Sequence, residues 1–378
     1  LSLGYLIMNK KNILIFPGDE IGPEITPEAI KVIDYFNESK LTNISYDFAD
    51  IGGAALDKYD TPIKTDDLDK AKKSDAILLA AVGTPKYDNN PRERKPEHGL
   101  LALRKHLNLF INIRPIFVFN SLLGYSSLKS ELISDLDIVI IRELIGDVYF
   151  GEPRGFKDIN GDRVGYNTML YSESEVQRIT QFAIETAKKR QKQITSIDKA
   201  NVLECSQLWR QTVDRMMIKH SDIDLQHMYV DNAAMQMIKN PKQFDVILTP
   251  NLFGDILSDA ASMLTGSIGL LPSASLSNDT GMFEPIHGSA PDIAGQGIVN
   301  PLAMILSLAM MFEYTLDKPE LSKIIKKAVD EALNDGYFTK DLSSKDFIST
   351  SQMGDKILER IKKPVSYTHL RAHETRSD

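Results

Sequence analysis

The chain has 378 residues, of which 42% are hydrophobic and 25% charged, values ordinary for a globular protein with one large or two smaller α/β domains. Its net charge of −8 argues against nucleic acid or an anionic membrane as the main partner, and no apolar run approaches the ~20 residues of a membrane helix. The single cysteine, Cys205, excludes an intramolecular disulfide and is typical of a reducing compartment, so we expect a soluble, cytoplasmic protein.

Both ends of the chain are expected to lie outside the fold. Residues 1–7 precede Met8, a suitable start, and lack the charged head of a secretory signal. Residues 365–378 show no amphipathic period, and the spacing of His369 and His373 only imitates a metal site. Both segments are therefore predicted to be non-native extensions.

The first elements form a strand, a glycine-containing loop and a helix. Residues 12–16 are an apolar run typical of a buried strand, and Pro23 lies in the first turn of an amphipathic helix reaching about Ser39. This arrangement can bind a cofactor in principle. The loop sequence GDEIGP, however, lacks the GxGxxG fingerprint of a Rossmann dinucleotide site.

Three arginines follow at or near the ends of predicted elements. Residues 74–82 predict a second buried strand, and a helical pattern at 97–105 carries Arg104. Arg114 is held extended by the proline after it, and a strand at 137–141 leads into Arg142. Together they could clamp the carboxylates of a diacid, although each alone is explained as well by a surface ion pair.

The middle of the chain predicts a hairpin and a candidate base. Asn160-Gly161 indicates a two-stranded arm within 151–171, and Ser172 with Glu175 forms a capping box for a helix reaching residue 192. A strand at 194–197 then leads into Lys199. A lysine in that place can act as a general base, and a surface loop lysine is the commoner alternative.

Three aspartates surround the strand predicted at 244–249. Asp231 ends an earlier strand at 225–230, and a loop at 251–254 precedes a helix that Asp255 is expected to open. Asp259 lies one turn later on the same helix face. Three carboxylates brought together need a cation, and oxygen ligands suit Mg²⁺ or Mn²⁺. The alternative is that Asp255 caps the helix and Asp259 lies on a solvated helix face.

A loop rich in Gly, Pro and Ser spans 283–295 and offers many backbone N–H groups that could hold phosphates. Helices are predicted near 301–314, 318–333 and 352–361.

Several segments, in order, resemble the isocitrate and 3-isopropylmalate dehydrogenase family, the β-hydroxyacid oxidative decarboxylases. They are IREL at 141–144, YFGEPRG at 149–155, DKANVL at 198–203, the aspartate stretch at 231–275 and HGSAPDIAG at 287–295. The similarity covers roughly residues 8–363. Glu20 replaces a glycine of the family's GDGIGP loop, where positive φ would be costly for glutamate.

The resemblance assigns roles to individual residues. It implies that Tyr149, Lys199 and Asp231 are catalytic and that Asp231, Asp255 and Asp259 bind Mg²⁺ or Mn²⁺. It implies substrate contacts from Leu100, Arg104, Arg114, Arg142 and Val202. It implies NAD contacts from Asn201, His287, Gly288, Ser289, Ala290, Pro291, Asp292, Ile293 and Asn300. Asp292 would bind a ribose hydroxyl and repel the 2′-phosphate of NADP.

The implied chemistry is NAD-dependent oxidative decarboxylation with Lys199 as base, Asp231 as relay and Tyr149 as proton donor. Apolar Leu100, Leu101 and Val202 favour the isopropyl group of 3-isopropylmalate, a leucine-pathway intermediate, unless the leucines are simply core. Relatives acting on tartrate, malate or homoisocitrate stay open, as does a non-catalytic subunit. The resemblance also implies a homodimer in which Lys199 and Asp231 reach into the partner's site.

The expected fold is α/β with two domains, a non-Rossmann cofactor site and a β-hairpin arm. The chain would cross twice between the domains. Residues 8–109 and 266–364 form the cofactor-side domain, and residues 110–265 form the dimerising, catalytic domain.

Overall fold

The structure is a computed structural model that describes residues 9–126 and 128–363. The extensions predicted at 1–7 and 365–378 lie outside these residues. The strands are β1 (Lys11–Gly18), β2 (Ile44–Phe48), β3 (Ala76–Ala81), β4 (Ile111–Phe117), β5 (Asp137–Glu143), β6 (Gly155–Ile159), β7 (Asp162–Tyr166), β8 (Gln193–Asp198), β9 (Asp224–Tyr229), β10 (Val246–Thr249), β11 (Pro272–Leu276) and β12 (Gly281–Pro285).

The helices surround these strands, and none within residues 9–126 and 128–363 is long and apolar enough to cross a membrane. They are α1 (Gly22–Glu38), α2 (Gly53–Tyr59), α3 (Thr65–Lys73), α4 (Pro96–His106), α5 (Ser130–Ile133), α6 (Glu173–Lys188), α7 (Glu204–Met217), α8 (Val230–Lys239), α9 (Asn251–Ser262), α10 (Leu302–Tyr314), α11 (Pro319–Asn334) and α12 (Thr350–Lys362).

One 10-stranded sheet has the order β2-β1-β3-β12-β11-β4-β5-β10-β8-β9. The pairs β12–β11, β11–β4 and β4–β5 are antiparallel, and the other pairs are parallel. Side chains of β1 alternate between two apolar clusters: Ile13 and Ile15 enter one, Leu14 and Phe16 the other. The sheet is therefore buried on both faces, which explains why β3, an inner strand, is an uninterrupted apolar run.

The order of strands follows the predicted division of the chain. Strands from 8–109 and 266–364 form one half of the sheet, and strands from 110–265 form the other half. The antiparallel pairing of β11 with β4 joins the halves. We retain the two domains, with these bounds, as a proposal.

The helix predicted to open at Asp255 begins instead at Asn251, so the predicted loop at 251–254 is wrong. Its N-cap, Pro250, has no side-chain acceptor. The N–H of Asn251 donates to the Tyr171 hydroxyl at 2.9 Å, and the N–H of Leu252 donates to the Asp147 carboxylate at 3.0 Å. These acceptors lie 80 and 105 positions earlier in the chain, so local sequence could not reveal the cap.

Two other predicted ends, of a helix and of a strand, differ from those in the structure. The helix predicted to reach residue 192 ends at Lys188, and Lys192 has a φ of 59°, outside the helical range. Strand β9 ends at Tyr229, so Asp231 lies in the first turn of α8 rather than at a strand end. The predicted hairpin is confirmed: β6 pairs with β7, and Asn160 and Gly161 both have positive φ.

Glu20 has a φ of 49°, the positive value expected where it replaces a glycine of the family's GDGIGP loop. We expect Glu20→Gly to raise the free energy of unfolding by about 0.5–1 kcal/mol, because glycine adopts positive φ without a Cβ clash. Urea unfolding measures this change. Glu20→Ala is the matched control, since it removes the carboxylate but keeps the Cβ; equal stabilisation by alanine would contradict backbone strain as the cause.

Candidate active site

Two buried arginines meet two aspartates at the centre of the sheet. Arg142 Nη1 donates to Asp255 Oδ1 at 2.6 Å, and Arg114 Nη2 lies 3.3 Å from the same oxygen. Arg114 Nη1 donates to Asp259 Oδ1 at 3.0 Å. The Tyr149 hydroxyl donates to Asp255 Oδ2 at 2.5 Å. The structure thus brings together five of the predicted site residues. Asp255 and Asp259 lie one turn apart on one face of α9, and the two arginines and the tyrosine contact them there.

Polar neighbours that were not predicted hold both guanidinium groups. Arg114 Nε donates to Asn112 at 2.9 Å, and its Nη1 donates to Ser258 at 2.7 Å. Arg142 Nε donates to Asn251 at 2.9 Å. Asn112 lies two residues before Arg114, on the same face of β4, and that period of two could have identified it. Asn251 gave no such signal because it was predicted to lie in a loop.

Burial and nearby charges shift the pKa values of four of these groups, and in Asp259 burial raises the pKa of the carboxyl. Burial, with Arg114 nearby, lowers the pKa of Arg142 to about 10, so the guanidinium stays charged at neutral pH. Burial raises the pKa of Asp255, but Arg142 and Arg114 outweigh it and hold that pKa below its ordinary value. Burial and the Asp255 carboxylate raise the pKa of Tyr149 to about 12. The tyrosine therefore keeps a proton that it can donate.

Arg104 approaches from α4. Its Nη2 donates to Glu284 Oε1 at 2.8 Å, and its buried Nε has no hydrogen-bond partner among the described residues. Leu100 lies one turn earlier on the same helix and packs partly against the cluster containing Leu103. Leu101 is partly exposed. Glu284 was not predicted, because its role depends on the fold that places β12 near α4.

The charges of this cluster balance: Arg104, Arg114 and Arg142 face Asp255, Asp259 and Glu284. A dianionic ligand alone, or a divalent cation alone, would leave two uncompensated charges in a partly buried site. A dianion and a dication together preserve the balance.

The carboxylates of Asp255 and Asp259 are donors of the kind that Mg²⁺ and Mn²⁺ prefer. Within residues 9–126 and 128–363, however, no group of three acidic, histidine or cysteine side chains is arranged to hold a metal. The expectation that Asp231 joins these two carboxylates is therefore not met inside one chain. The donor set fits a divalent cation only if a further ligand comes from elsewhere.

Lys199 and Asp231 form a separate pair. The Lys199 ammonium lies 2.9 Å from Asp231 Oδ2, and this bond lowers the pKa of the aspartate. The Asp231 side chain is 64% exposed, and Val202, in the turn after Lys199, is 61% exposed. Asn201 is exposed in the same turn. These predicted site residues therefore face the protein surface.

The predicted cofactor loop follows β12. Asp292 is exposed, whereas Ser289 is buried and its carbonyl accepts the N–H of Ile21. Burial lowers the pKa of His287, so the imidazole is neutral near pH 7. Its Nδ1 lies 2.9 Å from the Gly288 carbonyl, and its buried Nε2 has no partner among the described residues. An unpartnered ring nitrogen fits a ligand with hydrogen-bonding groups, such as a nucleotide base.

Acidic residues at the start of the chain, in the first loop and the first turn of α1, hold the predicted cofactor loop and its neighbours. Glu24 accepts the backbone N–H groups of Gly295 and Gly297. Asp19 accepts those of Gly53, Ala54 and Gly83 at 2.8–2.9 Å. Asp19 of the GDEIGP loop and Glu24 of α1 thus hold neighbouring loops through backbone N–H groups.

The remaining residues predicted to contact NAD lie on or after this loop. Pro291 is exposed, and Ala290 and Ile293 are partly buried against the core. The Asn300 side chain accepts the N–H of Leu302, the first residue of α10, and donates to Asp341. Its predicted contact with NAD would have to add to these bonds.

Comparison with known proteins agrees with this architecture. Residues 12–357 match the sequence profile described as isocitrate/isopropylmalate dehydrogenase. The chain is 53% identical over 352 residues to the 3-isopropylmalate dehydrogenase of Hydrogenovibrio crunogenus, covering 92% of this chain and 99% of that protein. It is 52% identical over 352 residues to that of Chromohalobacter salexigens, covering 92% and 98%.

Among solved structures, isocitrate dehydrogenase from Methylococcus capsulatus superposes with a TM-score of 0.84 at 33% identity, covering 93% of this chain and 100% of that chain. A beta-decarboxylating dehydrogenase from Thermococcus kodakarensis gives 0.75 at 32% identity, covering 97% and 99%. The chain belongs to the isocitrate/isopropylmalate dehydrogenase family, and the predicted family and fold class are confirmed.

Proposed function

We propose that this protein oxidatively decarboxylates (2R,3S)-3-isopropylmalate to 4-methyl-2-oxopentanoate with reduction of NAD⁺, a step of leucine biosynthesis. The observation that carries the proposal is the identity of 51–53% over 90–93% of the chain to several proteins named 3-isopropylmalate dehydrogenase. The arginine–aspartate cluster supplies the matching chemistry. The single cysteine supports action in a reducing cytoplasm.

The three arginines would bind the two carboxylates of the substrate. Arg114 and Arg142 are almost fully buried and fixed by side-chain hydrogen bonds, so little entropy is lost when they bind an anion. Arg104 has an unpartnered Nε available. Leu100, one turn from Arg104, would contact the isopropyl group, whose three carbons contribute roughly 2 kcal/mol when buried.

Proton transfer falls to two groups in different places. Tyr149, which stays protonated because its pKa is raised to about 12, would protonate the enol carbon after decarboxylation. Lys199, once its ammonium group has given a proton to Asp231, would accept the C2 hydroxyl proton as a neutral amine. Asp231, 2.9 Å from Lys199 and mostly exposed, would pass that proton to water.

Asp255 and Asp259, with Asp231 of a second subunit, would hold Mg²⁺ or Mn²⁺. When bound, such an ion supplies Lewis-acid polarisation of the C2 oxygen and charge neutralisation. The residues from His287 to Ile293, with Asn201 and Asn300, would hold NAD.

A homodimer would complete the site. The helices carrying Asp231 and Asp255 expose large apolar side chains on their surface: Met235, Ile238, Ile256 and Met263 are 56–60% exposed. Large apolar side chains exposed together on neighbouring helices favour a surface that a partner covers. A second copy covering α8 and α9 in a twofold arrangement would bring the Lys199–Asp231 pair of each subunit towards the arginine cluster of the other. The arm, with Phe156 71% exposed, would clasp the same partner.

The direct test is NADH formation with 3-isopropylmalate, isocitrate, tartrate and malate, each with and without Mg²⁺. We expect a metal-dependent rate that is highest with 3-isopropylmalate. A higher kcat/KM for tartrate, malate or isocitrate would replace the proposed substrate. The absence of any metal-dependent NADH formation would favour a non-catalytic subunit.

Cofactor choice gives a separate prediction. Asp292 would bind the adenosine ribose and repel a 2′-phosphate, so the double variant Asp292→Lys, Ile293→Tyr should shift kcat/KM from NAD⁺ towards NADP⁺ by about a hundredfold, roughly 3 kcal/mol. Steady-state kinetics with both cofactors measure the ratio. Asp279→Lys is the control for added positive charge, because Asp279 is exposed outside the loop. An equal shift in the control would contradict the role of Asp292.

A further inference from the structure

Asp147 is a fully buried carboxylate that none of the proposed steps uses. It opens the short 3₁₀ turn that carries Tyr149 and has a φ of 69°, in the left-handed region. Aspartate tolerates this region better than most residues, but glycine fits it without strain. A buried, charged side chain at such a position has to make interactions that outweigh this cost.

The side chain and the backbone of Asp147 make those interactions in two directions. Its Oδ2 accepts the N–H of Leu252 at 3.0 Å, and its Oδ1 accepts the N–H of Val148 at 2.7 Å. Its backbone carbonyl accepts the N–H of Gly151 at 2.9 Å. One residue therefore binds both sides of the tyrosine turn and also the first turn of α9.

The bond to Leu252 is the one that connects the turn to the helix. The N-cap of α9 is Pro250, which offers no side-chain acceptor for the free N–H groups of the first turn. Asp147 supplies that acceptor from another segment, with a charge that favours a helix N-terminus. Asp255 follows three residues after Leu252, and its Oδ2 accepts the Tyr149 hydroxyl.

We propose that Asp147 is a positioning residue for the reaction: its carboxylate fixes the Tyr149 hydroxyl against Asp255 by joining the tyrosine turn to the N-terminus of α9. The inference rests on the proposed function, in which Tyr149 is the proton donor. A purely structural cap would stabilise α9 equally whether or not a hydroxyl stands at position 149. A positioning residue matters for kcat only while that hydroxyl is present.

The test compares Asp147→Gly, which keeps the backbone conformation, with Asp147→Asn, which keeps one acceptor and the tolerance of positive φ. Each is made alone and with Tyr149→Phe, and kcat and KM are measured with 3-isopropylmalate, NAD⁺ and Mg²⁺. We expect Asp147→Gly to lower kcat about ten- to a hundredfold with KM within about threefold, and Asp147→Asn to recover most of kcat. The double variant Asp147→Gly, Tyr149→Phe should have a kcat within about twofold of that of Tyr149→Phe alone.

An unchanged kcat in Asp147→Gly, or the same loss of kcat in both backgrounds, would overturn the proposal. Circular dichroism melts confirm that the variants are folded under assay conditions. If the unsubstituted protein forms no NADH with 3-isopropylmalate, the proposed function fails instead. A crystal structure of Asp147→Gly then decides the inference: a displaced Tyr149 hydroxyl supports it, and a hydroxyl still bound to Asp255 overturns it.

Discussion

Replacing Lys199 with methionine is expected to lower kcat by about 10²- to 10⁴-fold, because Lys199 is the base proposed to accept the C2 hydroxyl proton. NADH binding should change little, since most residues proposed to hold NAD lie in the loop after β12 and only Asn201 shares the turn of Lys199. Steady-state kinetics and the fluorescence of bound NADH measure the two effects separately.

Lys326→Met is the matched control for this prediction. Lys326 also forms an ion pair, 2.6 Å from Glu313, but on the surface of α11. It should keep unsubstituted activity. Near-normal turnover in Lys199→Met would show that Lys199 is not the general base. Loss of NADH binding would indicate misfolding instead.

Asp255→Asn is expected to reduce activity by at least about a thousandfold and to weaken Mn²⁺ binding at least about tenfold. The carboxylate also partners Arg142, Arg114 and the Tyr149 hydroxyl, so we expect the free energy of unfolding to fall by about 1–3 kcal/mol. Titration with Mn²⁺ followed by electron paramagnetic resonance measures binding without relying on turnover.

Asp259→Asn separates the two effects. The Asp259 side chain is 59% exposed and pairs only with Arg114 among the described ion pairs, so its loss should weaken Mn²⁺ binding similarly but cost little stability. Undiminished Mn²⁺ binding in Asp255→Asn would contradict its assignment as a metal ligand.

The elements that could be predicted from sequence are those whose signal is local. The run at β3 is apolar throughout, the capping box at Ser172 starts α6, and Asn160-Gly161 forms the hairpin turn. Strands β11 and β12 were not predicted, because short strands with mixed Ser, Gly and Pro have no clear period. Their place in the sheet depends on partners distant in the chain.

The site residues could be predicted from sequence motifs, whereas the residues that pair with them could be identified only in the folded structure. Motif resemblance identified Arg104, but nothing in the sequence indicated that Glu284, 180 positions away, would pair with it. The same holds for Asp147, which caps α9 from a distant turn. The separation of Asp231 from Asp255 within one chain is a tertiary property, and it supports the second subunit that the family resemblance implied.

Each active site is proposed to combine Lys199 and Asp231 of one subunit with Asp255 and the arginines of the other. Mixed dimers of Lys199→Met and Asp255→Asn test it most directly. Each variant alone should be inactive, because both of its sites carry a defect. After dissociation and random reassociation, half of the dimers are mixed and each has one intact site, so about a quarter of the unsubstituted activity should return.

A differently tagged copy of each variant allows the mixed dimers to be isolated and counted. Recovery of activity in proportion to the mixed fraction is the result that shared sites predict. Mixed dimers that form but stay inactive would show that Lys199 and Asp255 serve the same chain, and the shared site would have to be abandoned.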